Sequence, residues 1–224
     1  MTSASPDLKR LANWIGFLVF GAWACQTLSK MPAVGILMAP TFLMELGVAI
    51  SFLIRDEPRA TTRSFRARIS AYAGSFLVLV FLQFAQPMHP EWFVPQITVL
   101  TPVAAALWLG GSLWSVYSVW HLRRAFSIEP AARRLITTGP YRVARHPVYT
   151  GYFIEYIGVL MTVPSFALAL VLLVWTVAMV DRMYLEESVL RSAFPEYADY
   201  KRRVGALGPV LFRRTSRPRP AVSV

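Results

Sequence analysis

The feature that most constrains this chain is a series of long apolar segments. Residues 11–28, 33–54, 69–86 and 96–120 are each built mainly of Leu, Ile, Val, Phe, Ala, Met and Trp. About 20 such residues, at ~1.5 Å each, cross the ~30 Å hydrocarbon core of a bilayer. Lipid offers backbone amides no hydrogen-bond partner, so segments of this kind must be helical. Two shorter apolar segments follow, 149–161 and 165–180, with Thr162-Val163-Pro164-Ser165 between them as a turn. They predict a helical hairpin that enters the membrane and returns, with two conventional spans as the alternative.

Charge supports this path. The chain carries 55% hydrophobic and only 16% charged residues over 224 positions, against about 25% charge in a typical soluble domain. A formal net charge of +11 could point to nucleic acid. Its distribution argues for membrane orientation instead. Lys9 and Arg10 precede the first span, Arg55, Arg59, Arg63, Arg66 and Arg68 follow the second, and Arg123 to Arg145 follow the fourth. The remaining basic residues lie after the hairpin, except Lys30 between the first two spans. The loop "PMHPEWFVP" has no Lys or Arg. Four spans and a returning hairpin put every other basic segment on one face, the cytoplasmic face by the positive-inside rule. Nucleic acid is not needed to explain the charge, and no obligate protein partner is implied.

The expected fold is therefore all-α: a polytopic integral membrane helical bundle of four spans, a C-terminal hairpin and a cytosolic amphipathic helix. Residues 1–120 form the membrane helices, 121–212 the C-terminal functional region, and 213–224 a basic disordered tail that can touch anionic lipid. The polar first ten residues run into apolar sequence with no clear cleavage site, which predicts a retained first span. The single cysteine, Cys25, excludes an internal disulfide framework and a cysteine-built metal site. The three histidines are dispersed, so no metal site is expected.

The chemistry concentrates in "GPYRVARHPVYTGY", residues 139–152. Gly139-Pro140 and His146-Pro147 punctuate the backbone, because proline restricts the residue before it. Arg145, His146 and Tyr149 then sit at the start of a membrane helix, and Gly151 permits close approach of a ligand or another helix. A juxtamembrane basic loop with interfacial tyrosines accounts for the Arg and Tyr residues but not for the His-Pro and Gly-Pro pairs. After the hairpin comes "DRMYLEESVLRSAFPEYADYKRRV". Leu185, Val189 and Phe194 suggest an amphipathic helix. Glu186 and Glu187 point about 100° apart on it, so they are not expected to share one task. Glu187 has Arg191 four residues on as an ion-pair partner, which leaves Glu186 freer to face a ligand. Two more carboxylates lie within apolar segments. Glu45 is read as neutral or hydrogen-bonded within the bundle. Glu155 stands evenly between that role and a functional one. There is no Gly-rich phosphate loop and no hydrolase motif.

"LITTGPYRVARHPVYTGYF", the hairpin and "EESVL…FPEYADYKRRV" together resemble the C-terminal catalytic region of the isoprenylcysteine carboxyl methyltransferases. These group with the phospholipid N-methyltransferases among integral membrane methyltransferases. The resemblance covers roughly residues 121–212. It implies S-adenosylmethionine as cofactor, bound on the cytosolic side, and a lipid-like or lipid-linked acceptor. Carried over by position, it implies cofactor binding by His146, Pro147, Tyr149, Gly151, Glu186, Glu187 and Tyr200, with Arg145, Arg203 and Glu186 in catalysis. Arg145 or Arg203 would position an acceptor carboxylate, which is ionised at neutral pH and needs no general base. With an amine or thiol acceptor, Glu155 or Glu186 becomes a candidate base. Pro195 stands where many relatives have glycine, which alters a turn. Other readings are a phospholipid amine or small thiol methyltransferase, and an NADPH-dependent sterol-type reductase. Against the last, Val148 and Tyr152 replace the Asn and Glu typical of reductases. A transporter or scaffold is the non-enzymatic reading. Compact size and short loops suggest, by analogy, the inner membrane of a bacterium.

Overall fold

The computed structural model describes residues 6–34, 39–62 and 64–209, so the expected basic tail at 213–224 lies outside the described residues. Seven α-helices dominate: α1 (Pro6–Val34), α2 (Ala39–Ile54), α3 (Phe65–Met88), α4 (Thr101–Leu122), α5 (Pro147–Thr162), α6 (Phe166–Ala193) and α7 (Tyr197–Arg203). The fold is the all-α polytopic membrane bundle expected from the apolar segments. Among the described residues, four helices are long and apolar enough to cross a membrane, and they are α1, α3, α4 and α6.

Helix α2 is described over the 16 residues Ala39–Ile54 of the apolar segment 33–54. The lengths depart from the sequence reading in two places. The fourth helix starts at Thr101 and not at 96, because a hydrogen-bonded turn from Thr98 to Thr101 and Pro102 at its first positions set its beginning. The second arm of the hairpin does not stop at Val180. It continues unbroken to Ala193, so the arm and the expected amphipathic helix are one element of 28 residues. At about 42 Å, α6 is longer than the ~30 Å hydrocarbon core, long enough for its last turns, with Glu186 and Glu187, to lie beyond it.

Helices α4 and α5 pack closest. A Cβ on Gly111 would lie 2.5 Å from the Gly151 carbonyl oxygen, and one on Gly158 would lie 2.5 Å from the Ala104 carbonyl oxygen. Small residues here let two backbones meet, which is how membrane helices associate without a hydrophobic drive. The Ser115 hydroxyl adds a 3.2 Å hydrogen bond to the Val148 carbonyl. Helix α6 is tied to α3 by the Trp175 indole, which donates to the Gly74 carbonyl at 2.9 Å.

Two sets of loops mark the ends of the bundle. At one end, Gln96 N–H bonds the Thr162 carbonyl, joining the α3–α4 loop to the α5–α6 turn. At the other, β1 (Ala60–Thr61) pairs antiparallel with β2 (Ala131–Ala132), joining the α2–α3 and α4–α5 loops. Arg55, Arg59, Arg66, Arg123, Arg124, Arg133 and Arg145 all belong to this second end. It also holds α7 and the segment after it.

Candidate functional site

The site is built where α5 begins. Thr138 to Val143 form a tight turn, held by Tyr141 N–H to the Thr138 carbonyl at 3.2 Å, with Gly139 at φ +58°. That left-handed conformation suits glycine, and the His121 ring lies where a Cβ would go. The chain then runs through Arg145 and His146 into Pro147, the first residue of α5, where a missing N–H costs nothing. The segment after α7 straps this stretch in place. Arg145 N–H donates to the Gly205 carbonyl at 2.8 Å and His146 N–H to the Ala206 carbonyl at 2.9 Å. The Thr150 hydroxyl donates to the Leu207 carbonyl at 3.0 Å.

His146 is 6% exposed and lies between the two carboxylates of α6. Its Nδ1 is 3.6 Å from Glu186 Oε2 and its Nε2 is 3.3 Å from Glu187 Oε1. Adjacent carboxylates on one helix thus do share a task, against the sequence expectation. An imidazole presents a nitrogen at each edge, so a ring placed across the helix can meet both. Burial pulls the His146 pKa down, but the two carboxylates outweigh it and leave it raised above its ordinary 6.5. With acceptors on both sides, the imidazolium, which donates at both nitrogens, is the favoured form.

Each carboxylate has its own cationic support. Glu187 turns away from Arg191 and receives Arg145 Nε at 2.8 Å and Nη2 at 2.7 Å, together with the Lys201 ammonium. Arg145 also donates to the Lys201 and Val204 carbonyls, which binds α7 to the motif. Glu186 receives the Tyr149 hydroxyl at 2.5 Å and Arg182 Nε at 2.9 Å. Arg182 is 5% exposed and, like Lys201, is a residue that sequence reasoning missed. It also donates to the Ala71 carbonyl, the Ser75 hydroxyl and the Ile128 carbonyl, at 3.2, 2.7 and 2.8 Å. It therefore locks α6, α3 and the α4–α5 loop around Glu186. Its position four residues before Glu186, at the edge of an apolar helix, was the available signal.

The remaining predicted residues divide. The Tyr149 ring stacks on His146 at 5.4 Å between centroids, with Arg182 over its other neighbourhood at 5.3 Å from the ring centre. The Tyr200 hydroxyl donates to the Tyr141 carbonyl at 2.7 Å, and burial pushes its pKa up to about 12, so it remains a donor at neutral pH. Gly151 meets α4, since a Cβ there would lie 2.6 Å from the Gly111 carbonyl oxygen. Pro147 is buried as the start of α5. Arg203 is not brought to the site: it is exposed, and its Nε donates to the Asp199 carbonyl of its own helix.

A cavity of about 260 Å³ opens beside this cluster. Tyr141, Leu190, Tyr197 and Tyr200 line its loop-facing end, and His146, Tyr149, Arg182 and Glu186 its middle. It continues between the membrane helices to Glu45, Ser112, Tyr152 and Glu155. One end can thus hold a polar molecule with an aromatic part, and the other an apolar one.

The bundle is that of a polytopic integral membrane protein, and its second half is similar to the membrane methyltransferases. Residues 99–197 match the phospholipid methyltransferase family, which spans α4, α5, α6 and the start of α7. The chain is 30% identical over 121 residues to the cobalt-zinc-cadmium resistance protein CzcN of Cupriavidus metallidurans, covering 54% of this chain and 52% of that one. It is 39% identical over 85 residues to the nickel-cobalt-cadmium resistance protein NccN of Alcaligenes xylosoxydans xylosoxydans, covering 37% and 40%. With protein-S-isoprenylcysteine O-methyltransferase B of Arabidopsis thaliana it shares 35% over 74 residues, covering 32% and 37%. The chain thus spans about half or less of the length of the curated relatives it matches.

Proposed function

We infer that this protein is an S-adenosylmethionine-dependent membrane methyltransferase acting on a lipid-like acceptor, with its site on the cytoplasmic face of a bacterial inner membrane. The observation that carries the reading is the convergence of Arg145, His146, Tyr149 and Glu186 on a cavity that runs from loops towards the membrane helices, with Glu187 behind them holding Arg145 and His146. The family match over the same helices supports it, and the clustering of arginines at that end supports the orientation.

The residues fit such a donor. Its amino-acid ammonium or ribose hydroxyls find an acceptor in Glu186, which lines the cavity and whose carboxylate Arg182 and Tyr149 hold in place. Its carboxylate finds cationic partners in Arg145 and the His146 imidazolium, and its adenine finds the aromatic and aliphatic walls of Tyr141, Leu190, Tyr197 and Tyr200. When bound, it supplies an electrophilic methyl group on a positively charged sulfur. The chain itself aligns the acceptor, keeps water out with the apolar cavity wall, and holds the surrounding charges in place.

The similarity to an isoprenylcysteine O-methyltransferase favours a prenylcysteine carboxylate as acceptor. Glu45 and Glu155 in the cavity favour an amine. Calorimetry on purified protein tests the cofactor: S-adenosylhomocysteine should bind and NADPH should not. Transfer of labelled methyl into a membrane extract should be lost in Glu186→Ala and His146→Ala. Binding of NADPH alone would replace this reading with a reductase, and binding of neither would favour a scaffold.

A further inference from the structure

A second hollow lies away from the His146 cavity, between the basic ends of α1 and α2. It is an open cleft of about 450 Å³, lined by Arg10, Asn13 and Trp14 of α1 and Leu53 of α2. Its rim is polar and its floor apolar. Arg10 is exposed, and among the described residues it makes no ion pair or hydrogen bond, even with Asp7 one turn before it. Arg55, just past the end of α2, fixes Asn13 from behind. Its Nε donates to Asn13 Oδ1 at 2.9 Å, and its Nη2 donates to the same oxygen. That oxygen is the acceptor of the amide, so what Asn13 can present to the cleft is its N–H donors. Below the rim, Trp14 is 54% and Leu53 41% exposed, and Leu18, one turn along α1, continues the apolar strip.

The cations behind the rim give a second, independent indication. The hydrogen bonds of Arg55 to described residues go to a neutral amide and not to a carboxylate. Burial and the neighbouring Arg133 guanidinium push its pKa down to about 10, and Glu57 offsets part of this. Arg133 donates Nη1 to the Asp56 carbonyl, while its buried Nε has no partner among the described residues. The Asp56 carboxylate is already taken by Arg124 and Arg134. Two guanidiniums thus share too little negative charge, and an anion at the rim would be stabilised.

A cationic rim over an apolar strip, at the basic end of a membrane bundle, complements a lipid with an acidic head. Guanidinium and amide N–H groups suit phosphate oxygens, and tryptophan settles at headgroup level. A zwitterionic head would bring its own cation against Arg10 and Arg55. We propose that Arg10, Asn13 and Trp14, backed by Arg55, form a binding site for an anionic phospholipid. The phosphate sits on Arg10 and Asn13, and an acyl chain runs along Trp14, Leu18 and Leu53. The site is separate from the cavity and does not depend on the methyltransferase reading.

The test measures binding of radiolabelled dioleoyl phosphatidylglycerol to the full chain purified in dodecyl maltoside. Unlabelled phosphatidylglycerol, phosphatidylcholine and inorganic phosphate serve as competitors. Phosphatidylglycerol should compete at least about tenfold better than either of the others. Arg10→Gln and Arg55→Gln should each weaken the labelled lipid by about tenfold or more. Arg123→Gln makes the same charge change at an exposed residue of the same end, and should cost about fivefold at most, the effect of a diffuse field. Melting in detergent checks folding, and Arg10→Gln, at an exposed residue, decides the matter should Arg55→Gln melt early. Losses in Arg10→Gln no larger than in Arg123→Gln would leave only a diffuse basic surface and overturn the site. Equal competition by phosphatidylcholine would overturn the acidic head, and equal competition by inorganic phosphate would overturn the lipid. A dimer that dissociates in Arg10→Gln, with no labelled lipid bound to wild type, would make the cleft an interface between copies and overturn the proposal.

Discussion

Helices α1 and α5 are both apolar membrane elements, yet they obey different rules. Helix α1 turns most of its surface outward: Leu18 is 61% exposed, and Leu11, Trp14 and Ile15 are each more than half exposed. It packs on α2 along one side, through the Phe20–Phe52 stack, the Arg55–Asn13 hydrogen bond and Gly16, where an added Cβ would lie 2.3 Å from the Phe52 ring. Helix α5 is held at several fixed points, although Ile157 faces outward. Gly151 meets α4, His146 meets α6, and the strap after α7 covers its first turn. A helix facing lipid needs only to be apolar, whereas a helix that shapes a site needs particular residues at particular positions. The family match begins at α4 and omits α1 to α3, which fits this division.

Four measurements sharpen or break the contrast. The largest effect is expected for Glu187→Ala. It leaves Arg145, Lys201 and His146 around an empty position, and breaking such a pair costs about 3–5 kcal/mol. Melting in detergent should fall steeply, and S-adenosylhomocysteine binding should vanish. Gly111→Val comes next, with a loss of about 1–3 kcal/mol from forcing α4 off α5, read by the same melt. If it matched wild type, the close α4–α5 contact would be wrong.

The third measurement is pH dependence. The folded pKa of His146 is raised above 6.5, so its stabilisation is complete below that pH and is lost as pH rises through the folded value. Wild type should lose at most about 1.4 kcal/mol per pH unit in that window, and His146→Gln should lack this component. The smallest effects belong to α1. Leu18→Ala, and Gly21→Ala where nothing lies within 4 Å of an added Cβ, should each stay within about 0.5 kcal/mol. A large loss from either would mean that α1 packs against something more specific than lipid.

The site was only partly legible in the chain. His146, Tyr149, Glu186 and Arg145 were visible because they are polar residues gathered beside an apolar helix, where chance placement is expensive. Arg182 escaped because its role depends on α3 and the α4–α5 loop, which are distant in sequence. Lys201 escaped for the same reason, since its partner lies 14 residues away on another helix. Gly151 was seen to need close approach, but only the packed bundle decides that α4 fills the space. Arg203 was placed by its neighbours in a motif, and a seven-residue helix then turned it outward.

Hydropathy alone determined that the chain is a bundle of membrane helices with its basic loops on one side, because lipid admits few backbone conformations and membranes sort charge by side. Where the last long helix ends was decided by the tertiary structure, as α6 absorbed the segment after it. So was the meeting of Glu186 and Glu187 on one imidazole. Helix geometry within a single element points these carboxylates apart, and only a ring delivered from α5 can join them.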